Sequence, residues 1–254
     1  MGLTDGDIEY LRYMTNLRML NLSYDFEEMM YDSVPNPNQI TDLSPLANLT
    51  SLETLWLCGN NVCDLSHLSN LTNLQMLSLF RNNISDVAPL MELTSLLELD
   101  LGENRISDIT PLSGHPTLRR LHLHRNRIRE ISQPIEFPNL HLLHLGGNQI
   151  SNVTNLHRLE TIDLLYLCNN QISDIAPLSE LINLRLLWLD NNQIRVISAL
   201  SNLTHLFELN LSNNQISDIS SLSELENLNF LFLEGNRIDD LSSVEHVGFV
   251  DIKR

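Results

Sequence analysis

The sequence predicts an α/β solenoid: a right-handed horseshoe with a parallel β-sheet on its concave face and short 3₁₀ or irregular segments on its convex face. Three observations carry that prediction. Asparagine recurs every 22 residues, at Asn38, Asn60, Asn82, Asn104, Asn126, Asn148, Asn170, Asn192, Asn214 and Asn236. Aliphatic residues hold a fixed frame around these positions, as in Leu74-x-x-Leu77-x-Leu79-x-x-Asn82-x-Ile84. No insertion or deletion interrupts the period from Asn38 onward. A fixed period of about 20–50 residues marks a stack of units, none of which can bury its apolar face alone.

Each part of the turn has a physical reading. Leu74, Leu77, Leu79, Ile84, Val87, Leu90 and Leu93 are expected to point inward, where each buried aliphatic side chain contributes roughly 1.5–3 kcal/mol. The Leu77-x-Leu79 step alternates faces, so Ser78 is expected on the solvent side of a short strand. The Asn stands where the chain leaves the strand, and its amide can both donate to and accept from unpaired backbone groups. A structural ladder therefore outweighs a binding role for these residues. The return half carries Ser-Asp-Ile/Val-x-Pro-Leu, as at Ser85 to Leu90, Ser107 to Leu112 and Ser173 to Leu178. Proline is tolerated in a first helical turn, and the Ser or Thr just ahead of it is expected to accept from the following N–H groups. So few residues separate the strands that 3₁₀ turns are expected there.

The whole chain of 254 residues reads as one domain with a continuous core: 43% of it is hydrophobic. Residues 1–16 form an N-terminal helical half-repeat or cap, with Thr4-Asp5 starting a helix that turns Ile8, Leu11 and Met14 inward. Residues 17–246 hold about ten repeats, interrupted by an acidic insertion at 23–37, which is either a recognition loop or a tolerated excursion. Residues 247–254 form an irregular last strand or cap through Val250 and Ile252. Neither end carries an elaborate cap, so a monomer or an end-capped dimer is expected.

Net charge is −17, from 15 basic and 32 acidic residues. Much of this acidity belongs to the scaffold, since Asp42, Asp64, Asp86, Asp108, Glu130, Asp174, Asp218 and Asp240 share one repeat position. The balance argues against nucleic acid as partner, which would call for a basic stripe. No apolar run approaches the ~18 residues of a membrane span, and the acidic start lacks the basic and apolar regions of a signal peptide. Cys58 and Cys168 share a column at roughly 24 Å by strand spacing, and Cys63 lies on another side of the coil. Free thiols favour a reducing compartment, so a cytoplasmic location is expected; a trimmed secreted or surface protein is the alternative.

Segments such as Leu71 to Leu90, LTNLQMLSLFRNNISDVAPL, resemble the 22-residue leucine-rich repeats of bacterial internalins. They are also similar to the repeats of a eukaryotic regulatory subunit of protein phosphatase 1. The resemblance covers residues 38–245 closely and 17–37 with an interruption. It implies protein binding through the concave sheet. The immunoglobulin-like domain and cell-wall anchoring motif of internalins are missing from this sequence.

Recognition is expected on the solvent-facing strand columns. These supply Trp56, Phe80, Arg81, Glu98, Asp100, Arg120, His122, His124, His144, Tyr166, Trp188, Asp190, Phe230 and Phe232 as partner-binding candidates. Large aromatics and Arg are the usual anchors of interfaces. Leu142, Leu164 and Leu186 beside Tyr166 and Trp188 should form a contiguous apolar patch, and such patches mark contact surfaces. Lateral packing along the sheet is the structural alternative for any single aromatic.

His122 and His144 are expected about 4.8 Å apart on adjacent strands, with Asp100 on the other side. Two imidazoles and a carboxylate suit zinc. No dedicated ligand motif accompanies them, so no metal or other cofactor is expected. Enzyme readings also fare poorly. Cys168 and His124 are placed ~10 Å apart, and there is no phosphate loop, Gly-x-Ser-x-Gly or Cys-x-x-Cys. A non-enzymatic protein-interaction module is the expected function. Recognition of a carbohydrate or other non-protein ligand is one alternative, and a trimmed repeat region of a larger surface or effector protein is another.

Overall fold

A computed structural model describes residues 2–24 and 38–252. The insertion at 23–37 lies outside them save for its first two residues. The chain divides into two compact units, residues 1–127 and 128–254. Both are solenoids of short parallel strands and turns.

In the first unit, helix α1 (Asp5–Ile8) continues into a 3₁₀ turn over Glu9–Tyr13. Strands β1 (Met19–Asn21), β2 (Thr54–Trp56), β3 (Met76–Ser78), β4 (Glu98–Asp100) and β5 (Arg120–His122) follow. They pair in parallel and in chain order, with Trp56 beside Ser78, Ser78 beside Asp100 and Asp100 beside His122. In the second unit β6 (Leu142–His144), β7 (Leu164–Tyr166), β8 (Leu186–Trp188), β9 (Glu208–Asn210), β10 (Phe230–Phe232) and β11 (Phe249–Asp251) pair in the same way. The central residue of most strands is buried and its neighbours are half-buried, as period-2 alternation requires.

Short 3₁₀ turns such as Ala88–Glu92, Thr110–Leu112 and Ala176–Glu180 carry the chain back. Their capping differs from the expectation in one respect. The Asp of the acidic column, not the Ser or Thr next to the Pro, accepts the N–H. Asp42 takes it from Ser44 at 2.7 Å, Asp108 from Thr110 at 2.9 Å and Asp218 from Ser220 at 2.8 Å. An aspartate reaches a backbone N–H two residues ahead without leaving a relaxed rotamer, whereas the Ser44 and Thr110 hydroxyls instead donate back to it.

The Asn column forms the expected ladder. Asn82 donates to the carbonyl of Leu57 at 2.9 Å and of Leu79 at 3.1 Å, and accepts from the N–H of Val62 at 3.0 Å. Asn104, Asn126, Asn170, Asn192 and Asn214 repeat the pattern.

At the N-terminus, Asp5 accepts from the backbone of Thr41 and Asp42, and Asn38 accepts from Leu3, so this segment acts as the turn half of a repeat. Ile8 is buried and Leu11 is half-buried. Met14, expected inward, is 49% exposed: the 3₁₀ turn has ended and its φ of −96° and ψ of +50° turn the side chain out. The C-terminal strand is regular, with Phe249, Val250 and Asp251 in register with Phe230, Leu231 and Phe232. His115 occupies a core position shared by Leu71 and Leu93 and is fully buried.

Candidate functional site

The candidate residues fall into one sheet face on each unit. On the first, β2 to β4 present Trp56, Ser78 and Asp100 in one row, and Met76 and Glu98 in the row before it. Phe80 and His124 follow their strands. With Cys58 and Ser78 these side chains enclose a pocket of about 450 Å³. The rings of Phe80 and His124 stack at 5.6 Å and 27°. Gly102 lies between them, and a Cβ there would sit 2.3 Å from the His124 ring. Asp100 accepts the Gly102 N–H at 2.9 Å, and its other oxygen lies 3.4 Å from the Ser78 hydroxyl. Burial holds the His124 imidazole below its ordinary range, against the opposing pull of Asp100.

Charged partners rim this face. Arg120 donates to Glu98 at 3.1 Å and Arg125 to Glu103 at 2.6 Å. Arg81, Glu103 and Arg125 adopt left-handed backbone, with φ of +56°, +53° and +53°, at a position where Gly59, Gly147 and Asn169 stand in other repeats.

On the second unit, β6 to β8 line up His144, Tyr166 and Trp188, and beside them Leu142, Leu164 and Leu186. All six are half-buried. His144 stacks on Tyr166 at 4.9 Å, and Tyr166 meets Trp188 edge-on at 5.2 Å. The Trp188 indole donates to Glu208 at 2.8 Å. Lateral packing and partial exposure therefore coexist in the same residues. Burial, with Glu208 and Cys168 adding to it, pushes the Tyr166 hydroxyl up. Asp190 is also raised by burial, opposed by the amide of Asn191.

Phe230 and Phe232 belong to a larger aromatic cluster. Phe207 meets Phe230 at 5.5 Å, and Phe249 lies 6.1 Å from Phe230 and 5.6 Å from Phe232. Sequence reasoning missed Phe207 and Phe249. The former stands one residue ahead of the three strand columns; the latter becomes visible once Phe249-Val250-Asp251 is aligned with Phe230-Leu231-Phe232.

The structure also brings together two residues that the sequence analysis did not pair. Both the Cys168 thiol and the His144 ring lie over Gly146, where a Cβ would meet them at 2.7 and 2.8 Å. His144 Nδ1 accepts the Gly146 N–H at 3.1 Å. Burial, then Asp190, pushes the Cys168 thiol up, the opposite of what activates a nucleophile. Cys58, Cys63 and Cys168 are free thiols. Among the described residues no helix is long and apolar enough to cross a membrane.

This repeat architecture defines a solenoid of parallel strands and short turns, and the chain belongs to the leucine-rich repeat family. It matches the family described as "Leucine Rich repeats (2 copies)" over residues 36–70, 72–114, 116–157, 138–180 and 204–246. Within that family it is of the internalin-like class. It is similar to an internalin (inlF) of Listeria monocytogenes, with 33% identity over 96% of this chain and 82% of that one, at a TM-score of 0.70. The ectodomain of the Arabidopsis thaliana receptor kinase GASSHO1/SCHENGEN3, solved in complex with CASPARIAN STRIP INTEGRITY FACTOR 2, is 27% identical over 85% of this chain and 29% of that one, with a TM-score of 0.70. TLR13 in a complex with ssRNA13 is 25% identical over 98% of this chain and 38% of that one, with a TM-score of 0.78. No curated protein sequence matches the chain.

Proposed function

We propose that the chain is a non-enzymatic protein-binding module whose partner docks on the solvent-facing side of the sheet. One observation carries this reading: Tyr166, Trp188, Leu142, Leu164 and Leu186 stand in register across β6 to β8 and all remain partly exposed. A rigid aromatic and aliphatic surface of this kind loses little side-chain entropy on binding and excludes water well. A carbohydrate would need a free ring face to stack upon. His144 covers one face of Tyr166 and Trp188 packs against the same ring at a steep 73°, which favours a protein partner. The net charge of −17 disfavours nucleic acid, although one similar structure holds RNA.

The cluster of Phe207, Phe230, Phe232 and Phe249 extends the surface available on the second unit. On this reading the chain works as a monomer or as a dimer joined through its ends, in a compartment that keeps its three thiols reduced, such as the cytoplasm.

The test is affinity capture followed by mass spectrometry, with the wild type and a Tyr166→Ala/Trp188→Ala double variant as baits. A protein retained by the wild type and lost by a folded double variant is the expected result. Equal recovery by both baits removes this face from the interface.

A further inference from the structure

The pocket on the first unit has a chemistry of its own. Trp56, Phe80 and His124 supply ring surfaces, while Glu98 and Asp100 supply carboxylates to the same wall. At about 450 Å³ it is too small for a helix or loop and suits one long side chain. Aromatic faces carry negative potential and attract a cation, and a nearby carboxylate adds to that attraction.

The charges around it leave room for such a guest. Glu98 already holds Arg120, so those two roughly cancel. Among the described residues, Asp100 accepts the Gly102 N–H and, at 3.4 Å, the Ser78 hydroxyl, and it attracts the His124 imidazole. A carboxylate offers about four acceptor sites, so it retains capacity for a bidentate donor. Arg81 and Arg125 belong to the rim, where Arg125 is tied to Glu103. Among the described residues, no lysine or arginine lines the pocket itself. The strongly acidic chain further favours approach by a basic segment.

We propose that this cup seats a single arginine side chain of a partner protein. Its guanidinium stacks between the Trp56 and Phe80 faces and donates to Asp100. A planar, weakly hydrated guanidinium meets both demands at once. The proposal rests on the reading that a protein partner uses the sheet face, and it adds the chemistry of one anchor.

The experiment titrates the isotope-labelled protein with the capped peptide Ac-Gly-Arg-Gly-NH₂ and, separately, with its citrulline counterpart, a neutral isostere. The indole N–H signal of Trp56 is followed by NMR and distinguished from that of Trp188 by a Trp188→Phe variant. The arginine peptide should give a saturable shift, with the citrulline peptide roughly fivefold or more weaker. Asp100→Asn should weaken the arginine peptide to a similar degree. Glu98→Gln, which frees Arg120 to repel the guest, should also weaken it. Equal binding of both peptides, or no saturable shift at Trp56, would overturn the proposal. Partner capture reads the broader function independently: a partner retained without any arginine response removes the cup alone, and the reverse removes the protein-partner reading alone.

Discussion

The rings of Phe80 and His124 stack at 5.6 Å even though a whole repeat lies between the two residues. Gly102 makes the contact possible, because His124 lies across the space that a Cβ would take. The first prediction follows from that crowding. Gly102→Ala should push the His124 ring aside, separate it from Phe80 and lower stability by about 1–3 kcal/mol. Thermal unfolding measures the loss, and the aromatic NMR signals of Phe80 report the separation. An unchanged melting temperature would show that the ring moves at no cost.

His115 should make the fold sensitive to mild acid. It is fully buried where other repeats place Leu, and burial holds its imidazole below the ordinary range. A lowered imidazole pKa means that the unfolded chain binds the proton more readily. Stability is therefore lost as pH falls through the ordinary imidazole range toward the lower value of the folded state. His115→Leu should raise stability near neutral pH by roughly 1–3 kcal/mol and flatten part of that acid slope. Urea midpoints at pH 7.5 and pH 5.5 for both proteins provide the comparison.

Val196 marks a missing cap. It occupies the position of the acidic column and is 68% exposed, ahead of the turn Ser198–Asn202. Val196→Asp should supply the carboxylate that Asp174 gives to Ala176 at 2.9 Å, with a gain of about 0.5–2 kcal/mol. Asp42 and Asp64 are held below the usual carboxylate range, first by the backbone N–H of Ser44 and Ser66 and then by the hydroxyls. A cap of this kind contributes fully above the unfolded carboxylate range and is lost as pH falls through the folded value. The gain should accordingly be present at pH 7 and absent in strong acid. A variant no more stable than wild type at pH 7 would refute the cap.

Removing a rung of the ladder should be costly. Asn192 donates to the Leu167 and Leu189 carbonyls at 3.0 Å each and accepts from Ile172 at 2.9 Å, all in a buried setting. Asn192→Ala leaves several buried backbone groups without a partner and should destabilise by roughly 2–4 kcal/mol. Hydrogen exchange at the Ile172 amide locates the effect, since that amide should lose protection before more distant ones.

The repeat period makes the strands, the core columns and the Asn ladder legible in the sequence, because each is a local consequence of spacing. Residues such as Tyr166, Trp188 and Leu164 were correctly placed on one face by alternation alone. What escaped depends on side-chain direction or on the ends of the repeat. The meeting of His144 and Cys168 over Gly146 requires their rotamers, which no spacing encodes. Met14 turns outward because a short turn stops early, and Phe249 was hidden because the last strand departs from the leucine frame.

The ladder also has a direction. Asn82 gives its amide to Leu57 and takes the N–H of Val62, both in the repeat that precedes it, and Asn104 does the same for Leu79 and Ile84. Each coil is therefore completed by the one translated after it. As the chain leaves the ribosome from its N-terminal side, the newest coil always waits for its successor, and every 22 residues of synthesis close the backbone of the last. Growth of the fold and growth of the chain run in the same sense.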